Sequence, residues 1–322
     1  MTINFSTLPA PEIVEELNYE AILSSMVEDL RARDPSYTEI LESDPGVKIM
    51  EVCAARELII RQRVNDAFRA TLLRFANGAD LDNLAAFYNV ARLEDEQDPA
   101  FRLRTIERIM GSSSAGGAAW YRYHALTASP FVKDANITSP QPGYVQVSVL
   151  SSEGQSVTVA EGGDLDSLGV MWGVLRFTGE SDASYRERVE AEVLAGGGYG
   201  AASPALLELV RGVVDGPTVR PVSDTVTVAS AEVLPVDIEA RIYLYPETPI
   251  SIYNGLSSQL SDAFEAQSGM GWDVTESWLI SQLHQPGVQR VELVSPSESV
   301  VCLDNQAPLL NAISLTFAGR DR

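Results

Sequence analysis

The chain has very little of three residue types that would support a covalent or metal-based function. It contains two cysteines, two histidines and, among its 23 basic residues, only two lysines, Lys48 and Lys133. Cys53 and Cys302 are far apart, so we expect no disulfide, and Cys53 lies in a helical pattern that favours a small buried side chain over a redox role. The basic residues are almost all arginine, which is enriched in protein interfaces, although a GC-rich genome would explain the same bias.

Long apolar runs are also absent. No run approaches the roughly 18 residues that a membrane span needs, and the opening segment, MTINFSTLPAPEIVEELNYE, lacks the basic and apolar regions of a signal peptide. We therefore expect no membrane span and folding in the cytoplasm. The formal charge of −22 repels phosphate backbones, so we expect no nucleic-acid partner. The 322 residues are enough for two or three domains.

The first third of the chain has helical periodicity. Apolar residues at three- and four-residue spacing predict an amphipathic helix over 12–33, with glutamates in its first turn and Asp34-Pro35 at its end. Asp80 is predicted to cap a short helix further on. The apolar face of that short helix consists of Leu81, Leu84, Ala85 and Tyr88.

A much longer helix is predicted between these two, over 47–76. It follows the Asp44-Pro45-Gly46 turn and ends at an Asn77-Gly78 cap. Such a helix is about 45 Å long and exceeds the roughly 30 Å of a small domain. Part of its apolar stripe must therefore be covered by a neighbouring chain or by bundled helices. The stripe consists of Ile49, Val52 or Cys53, Ile60, Val64, Phe68, Leu72 and Phe75.

Arginines accompany this stripe, while the preceding helix is acidic. We favour packing of a basic helix against an acidic one, within one chain or between two. The alternative is a solvated face with pairs such as Glu57 to Arg61, each worth about 0.3 kcal/mol. The predicted partner-helix interface is Arg56, Ile60, Arg61, Arg63, Val64, Phe68, Arg69 and Leu72.

Helix and strand patterns mix beyond residue 92. Helices near Asp98–Met110 and Ala118–Ala128 precede two strand-like runs, VKDANITS and YVQVSVL, and a later helix is capped by Ser203 with Pro204 in its first turn. The tail has the pattern strand, helix, helix, strand, strand, which is typical of a small α+β domain with its helices on one sheet face. We predict an α+β protein in three parts, comprising a helical region over 1–92, a mixed domain over 93–235 and a C-terminal α+β domain over 236–322.

Two short segments resemble each other. DPAFRLR, from Asp98, and DASYRER, from Asp182, share the pattern D-x-x-aromatic-R-x-R. Seven residues are too few to prove a duplication, and a common way of starting a helix explains them equally well.

No catalytic constellation is present in the sequence. His124 lies in a helical pattern and His284 at a helix end, and neither has a partner at metal-ligand spacing, so each is interpreted as a core or cap residue. The glycines of Gly196–Gly200 lack the Lys-Ser/Thr pair of a phosphate-binding loop and are interpreted as a turn before a helix. We therefore expect no enzyme, no cofactor and no metal.

The run LESDPGVKIMEVCAARELIIRQRVNDAFRATLLRFANGADLDNLAAFYNVAR resembles the N-terminal region of the baseplate assembly protein J family of contractile phage tails, relatives of the wedge proteins of Mu-like and T-even phages. The matching features are the Glu42–Gly46 turn, the long helix, the pattern A-x-G-x-x-L-D-x-L-A over 76–85, and Arg92. The likeness continues through DPAFRLRTIERIM to HQPGVQRVELVSPS. The segment 155–195 departs from it as an insert, which is either a hairpin decoration or a partial repeat.

This resemblance implies a structural baseplate wedge subunit. Two copies would bundle their long helices with other wedge proteins, and the C-terminal domains would join wedges into a ring around the tail hub that rearranges to trigger sheath contraction. The location would be the virion tail baseplate, assembled in the host cytoplasm. The alternatives are a tail-associated hydrolase or nucleotide-dependent assembly factor using Gly196–Gly200, and a β-rich receptor-binding protein, which the helical first third disfavours.

Overall fold

The structure, a computed structural model, describes residues 17–37, 41, 44–112, 116–152, 163–198 and 200–321. The chain separates into two compact units: Met1–Arg92 with Glu96–Thr105, and Leu93–Asp95 with Ile106–Arg322. Helices form the described part of the first unit, and helices with two three-stranded sheets form that of the second. The predicted α+β class is confirmed, while the division into three domains stays a prediction.

The first unit contains α1 (Tyr19–Arg33), α2 (Pro45–Ala70), α3 (Gly78–Ala86) and the start of α4 (Asp98–Gly111). Asn18 begins α1, because its side-chain oxygen accepts a hydrogen bond from the Ala21 N–H at 3.1 Å. The helix therefore starts later than predicted, although residues 12–16 of that prediction lie outside the described ranges. It ends at Asp34, as the Asp-Pro signal predicted.

The long helix α2 is shorter than predicted. Its 26 residues end at Ala70 and span about 39 Å, and tight turns replace the helix up to Ala76. In these turns the Arg102 guanidinium donates hydrogen bonds to the carbonyl oxygens of Leu73 and Ala76 at 2.9 and 2.5 Å. A residue distant in sequence thus satisfies carbonyls that have no helical partner there.

The predicted role of Asn77-Gly78 as a C-terminal cap was also wrong. Asn77 is the N-cap of α3, and Gly78, with φ of 52°, is the first residue of that helix. Asp80 lies in the first turn of α3, where a carboxylate suits the helix dipole, and is not the cap.

The second unit begins with a helix and sheet layer. It comprises α5 (Ala118–Ala128), β1 (Val132–Gln141), β2 (Tyr144–Ser151), α6 (Gly163–Met171), α7 (Asp182–Ala195), α8 (Pro204–Val214) and β3 (Thr225–Ser230). Strand β1 pairs antiparallel with β2, and β2 pairs parallel with β3, so that Val147 lies opposite both Ile137 and Val228. Helices α5 and α8 pack on this sheet and on each other.

The chain ends in a second sheet with its own core. It comprises β4 (Glu232–Leu244), α9 (Ile250–Gln267), α10 (Glu276–Leu283), β5 (Val288–Ser295) and β6 (Gln306–Arg320), with β4 between β5 and β6. From Val236 to Leu244 alternate residues of β4 are buried against the two helices, in the predicted arrangement of helices on one face. Pro235 lies within β4 opposite Leu309.

Candidate protein-interaction surface

Helix α2 has two apolar faces and buries only one of them within its unit. Val47, Ala54 and Asn65 are buried, and their spacing places them on one side of the helix. Helix α1 packs on α2 and buries Ile22. This face holds α2 in the first unit and leaves the opposite side to solvent.

The opposite side carries large apolar residues that the described residues do not cover. Ile60 and Val64 are each 59 % exposed, and Ile49 and Val52 are more exposed still. Cys53 lies among them, so the prediction of a buried cysteine was wrong: it falls on the face turned away from α1. We call Ile49, Val52, Cys53, Ile60 and Val64 the α2 stripe. The rise of a helix brings them onto one face about 22 Å long.

The arginines of α2 differ in their partners. Arg61 donates to the Glu57 carboxylate at 2.6 Å within the same helix, which is the solvated i, i+4 pair considered from the sequence. Arg56, Arg63 and Arg69 are exposed and form no ion pair with the part of the chain that the structure describes. Arg56 and Arg63 lie within the α2 stripe by helical spacing, so this surface is apolar with cationic groups among its aliphatic residues.

Two predicted interface residues lie elsewhere. Phe68 is half-buried, about a quarter turn from the stripe. Leu72 follows the end of α2 in the turns and is also half-buried. Since α2 ends at Ala70, the helical spacing that assigned Leu72 to the stripe does not apply there.

An open groove adjoins the stripe between α2 and α3. Its volume is about 550 Å³, and Phe87, at its edge, is 86 % exposed. Ala67 belongs to the groove and is one turn from Val64, so the groove continues the stripe. The groove was not predicted from the sequence, where its only local signal is a large aromatic outside the apolar face of α3. The groove is lined by Asp66, Ala67, Ala70, Thr71, Asp80, Asn83, Leu84 and Phe87.

Behind the groove, ion pairs fix α3 to the start of α4. Arg92 forms ion pairs with Asp82 and Asp98, each at 2.7 Å, and donates to the backbone oxygen of Glu96 at 2.8 Å. The backbone N–H of Gly78 and the Arg92 guanidinium together hold the pKa of Asp98 below its ordinary value. The carboxylate is therefore charged at neutral pH, and the contacts stay intact.

A second arginine of this region, Arg104, is almost fully buried. Arg104 donates to both oxygens of the Glu96 carboxylate, at 2.9 and 2.6 Å, and to the carbonyl of Ala91 at 2.6 Å. Arg92 and Arg104 both lie over the Phe101 ring, at 4.5 and 5.4 Å from its centroid. This cluster gives α3, and with it the wall of the groove, a fixed orientation.

Other candidate sites remain structural. His124 packs edge-on against Trp120 at 4.3 Å between ring centroids, and burial lowers its pKa to about 4, so it is a neutral core residue. His284 is the C-cap of α10, as predicted. Gly196 ends α7, and Gly197, Gly198 and Gly200 form the predicted turn before α8.

Two further findings concern the described ranges. No cluster of three or more His, Cys, Asp or Glu side chains is arranged to hold a metal ion there. Among the helices described, none is both long and apolar enough to cross a membrane.

Comparison with known proteins places the chain among structural components of phage tails. The family model of the baseplate J-like N-terminal domain matches residues 42–97, which contain α2, α3 and Arg92. Baseplate protein J of Escherichia phage P2 is 34 % identical over 342 aligned positions, which cover 99 % of each chain. The chain therefore belongs to the baseplate J family, as its sequence pattern predicted.

Proposed function

We propose that the chain is a structural wedge subunit of a contractile tail baseplate and that it joins its partners through the α2 stripe and the adjoining groove. A structural role in the baseplate follows from family membership. The linkage of wedges into a ring around the hub and the rearrangement that triggers contraction are the finer parts of the proposal. The place of action would be the virion tail baseplate, with assembly in the host cytoplasm.

The observation that carries this proposal is the exposure of the α2 stripe. Solvent-exposed rows of branched aliphatic residues on a long helix are costly unless another molecule covers them. Burying such a row against a second helix recovers roughly 25 cal/mol for each Å² removed from water. The row lies on the side of α2 away from α1, so it can be covered while α1 stays in place.

The charges indicate which kind of partner fits. Arg56 and Arg63 lie among the stripe residues and are available to pair with carboxylates of a partner, whereas helical spacing places Arg69 near the buried face of α2. A partner helix whose apolar stripe also carries Asp or Glu would complement Arg56 and Arg63, since charge selects partners more than it adds affinity. A second copy of this chain, with its formal charge of −22, and another wedge protein are the two candidates.

The test is co-expression of the chain with the neighbouring tail proteins of its source, followed by mass measurement of the purified complex. Val64→Asp should abolish assembly, because covering the stripe would bury an unpaired charge at a cost of several kcal/mol. The isolated variant should remain as helical as the wild type, since residue 64 is largely exposed there.

Gln62→Asp provides the matched control, because it adds the same charge on α2 at an exposed position outside the stripe. It should assemble normally. Equal yields of complex from the two variants would show that the stripe is not the contact. The mass of the wild-type complex also distinguishes a pair of identical chains from a complex with other wedge proteins.

A further inference from the structure

The short arginine pattern noted in the sequence belongs to a longer repeat. Aligned without a gap, residues 81–104, LDNLAAFYNVARLEDEQDPAFRLR, match residues 165–188, LDSLGVMWGVLRFTGESDASYRER. Both begin with Leu-Asp-x-Leu, and the same valine, arginine, glutamate, aspartate and final arginines follow at the same spacing. The alignment pairs α3 with α6 and α4 with α7.

The backbone takes the same conformation in the reversal between the helices. Asn89 and Gly173 occupy matched positions, with φ of 57° and 75°. Asp95 and Gly179 are also matched, with φ of 57° and 82°. Positive φ is uncommon outside glycine, so two unrelated loops would not be expected to share it at the same two positions.

The arginine in each reversal makes the same contacts. Arg176, the counterpart of Arg92, forms ion pairs with Asp166 and Asp182 and donates to the backbone oxygen of Glu180 at 3.3 Å. These three partners align one for one with the three partners of Arg92. A resemblance limited to a helix start would not reproduce contacts on the preceding helix.

The arginine on the second helix repeats its contacts as well. Arg188, the counterpart of Arg104, donates to both carboxylate oxygens of Glu180, at 2.9 and 3.1 Å, and to the carbonyl of Leu175 at 2.6 Å. It lies over the ring of Tyr185 at 5.7 Å from the centroid. Arg104 makes the same set of contacts with the aligned residues of the first segment.

Between the segments, one pair of core residues has changed together. Where the first segment has Ala85 and Phe101, both fully buried, the second has Gly169 and Tyr185. The Tyr185 hydroxyl donates to the Val174 carbonyl at 2.8 Å and occupies the space that a Cβ on residue 169 would take. An added hydroxyl is thus matched by a lost methyl group, which keeps the interior volume nearly constant.

We infer that residues 165–195 are a second copy of the helix pair formed by residues 81–111, and that the insert arose by internal duplication of this arginine-clamped element. Arg176 and Arg188 position α7 on α6 as Arg92 and Arg104 position α4 on α3. The exposed residues have diverged, since the exposed Phe177 replaces the half-buried Leu93. The same scaffold therefore presents two different surfaces.

Hydrogen exchange of the full-length chain, measured by mass spectrometry, tests this equivalence. Gly169→Ala should speed amide exchange in α6 and α7 at least ~10-fold, because the new Cβ collides with the Tyr185 hydroxyl. Gly169→Ala with Tyr185→Phe removes the collision with the hydroxyl and recreates the Ala85 and Phe101 pair, so it should slow exchange at least ~3-fold relative to Gly169→Ala. The Val174 carbonyl oxygen, 2.9 Å from the new Cβ, remains as the close contact that keeps exchange from returning fully to the wild-type rate. Gly212→Ala, where a Cβ meets no neighbour, is the control and should leave α6 and α7 unchanged.

The reciprocal pair of substitutions is made in the first copy. Phe101→Tyr should speed exchange in α3 and in the first turns of α4, and Ala85→Gly added to it should restore protection. If Gly169→Ala fails to fold, these two variants of the first copy still test whether the helix pairs are equivalent. Double variants that exchange as fast as their single parents would overturn the inference, since unrelated segments have no reason to tolerate each other's residue pairs.

Discussion

Arg104 and Glu96 form a bidentate ion pair that is almost completely removed from water. The Arg104 side chain is 2 % exposed and that of Glu96 is 7 % exposed. Removing both charges from water costs free energy. Contacts of the guanidinium with the Ala91 carbonyl and the Phe101 ring offset part of this cost. The pair fixes α4 relative to the chain that follows α3, the helix that forms one wall of the proposed partner groove.

Replacing one member of this pair should be strongly destabilising. Arg104→Met removes the guanidinium that both oxygens of the buried Glu96 carboxylate bind, at a cost of about 3–5 kcal/mol. Arg104→Met with Glu96→Met removes both charges and should recover most of that loss. Urea unfolding followed by helical circular dichroism measures both, and a double variant no more stable than Arg104→Met would show that the pairing is not what matters.

Phe87 is expected to contribute to association and not to folding. Its ring is 86 % exposed, so Phe87→Ser should change the stability of the isolated chain by less than about 0.5 kcal/mol. Loss of a large aromatic anchor from an interface typically costs 2 kcal/mol or more, or roughly 30-fold in affinity. Titration of the variant with purified wedge partners measures the change. Unaltered affinity would place the groove outside the contact.

Arg122 bridges two carboxylates in the second unit, and the destabilisation caused by replacing it should depend on pH. Its guanidinium donates to Glu107 and to Asp134, each at 2.7 Å, and burial raises the pKa of Glu107 above its ordinary value. Arg122→Leu leaves two carboxylates facing each other and should cost about 3–5 kcal/mol at pH 7.5. A smaller deficit is expected at pH 5, because the pKa of Glu107 rises further and the group takes up a proton in the folded state.

The control for Arg122→Leu is a substitution in a solvent-exposed ion pair. Arg211 and Glu208 lie on the solvent side of α8, so Arg211→Leu should cost less than about 1 kcal/mol at either pH. The urea midpoints of the two variants at both pH values supply the measurement. A deficit for Arg122→Leu that grows as the pH falls would contradict the assigned charges.

His124 should make the fold sensitive to mild acid. Burial lowers its pKa from 6.5 to about 4, so protonation favours the unfolded chain. Its neutral form is fully compatible with the fold above pH 6.5, and stability on the order of 2–3 kcal/mol is lost as the pH falls from there through about 4. His124→Phe removes this loss, so its urea midpoint should fall less than that of the wild type between pH 7 and pH 4. Parallel pH profiles would exclude the assignment.

The sequence by itself determined most of the helices, the strands and the family. Periodicity placed α5 at its observed bounds and gave the order of the strands and helices in the C-terminal sheet, since such elements are set by local signals. The ordered motifs around Asp80–Arg92 were specific enough to identify the baseplate J family. The proposed α2 interface was also derived at this level, from the length of an apolar stripe, and its partners stay a prediction.

Only the tertiary structure decided where α2 ends, which of its faces is buried and what the arginine pattern does. The turns that follow Ala70 are held by Arg102, whose contact with the Leu73 carbonyl no local pattern contains. The repeat was seen in the sequence as seven residues, because its other conserved parts are scattered over two helices and a loop. The structure shows that the aligned residues form the same ion pairs in both segments. Ion pairs depend on distance in space and not on distance along the chain.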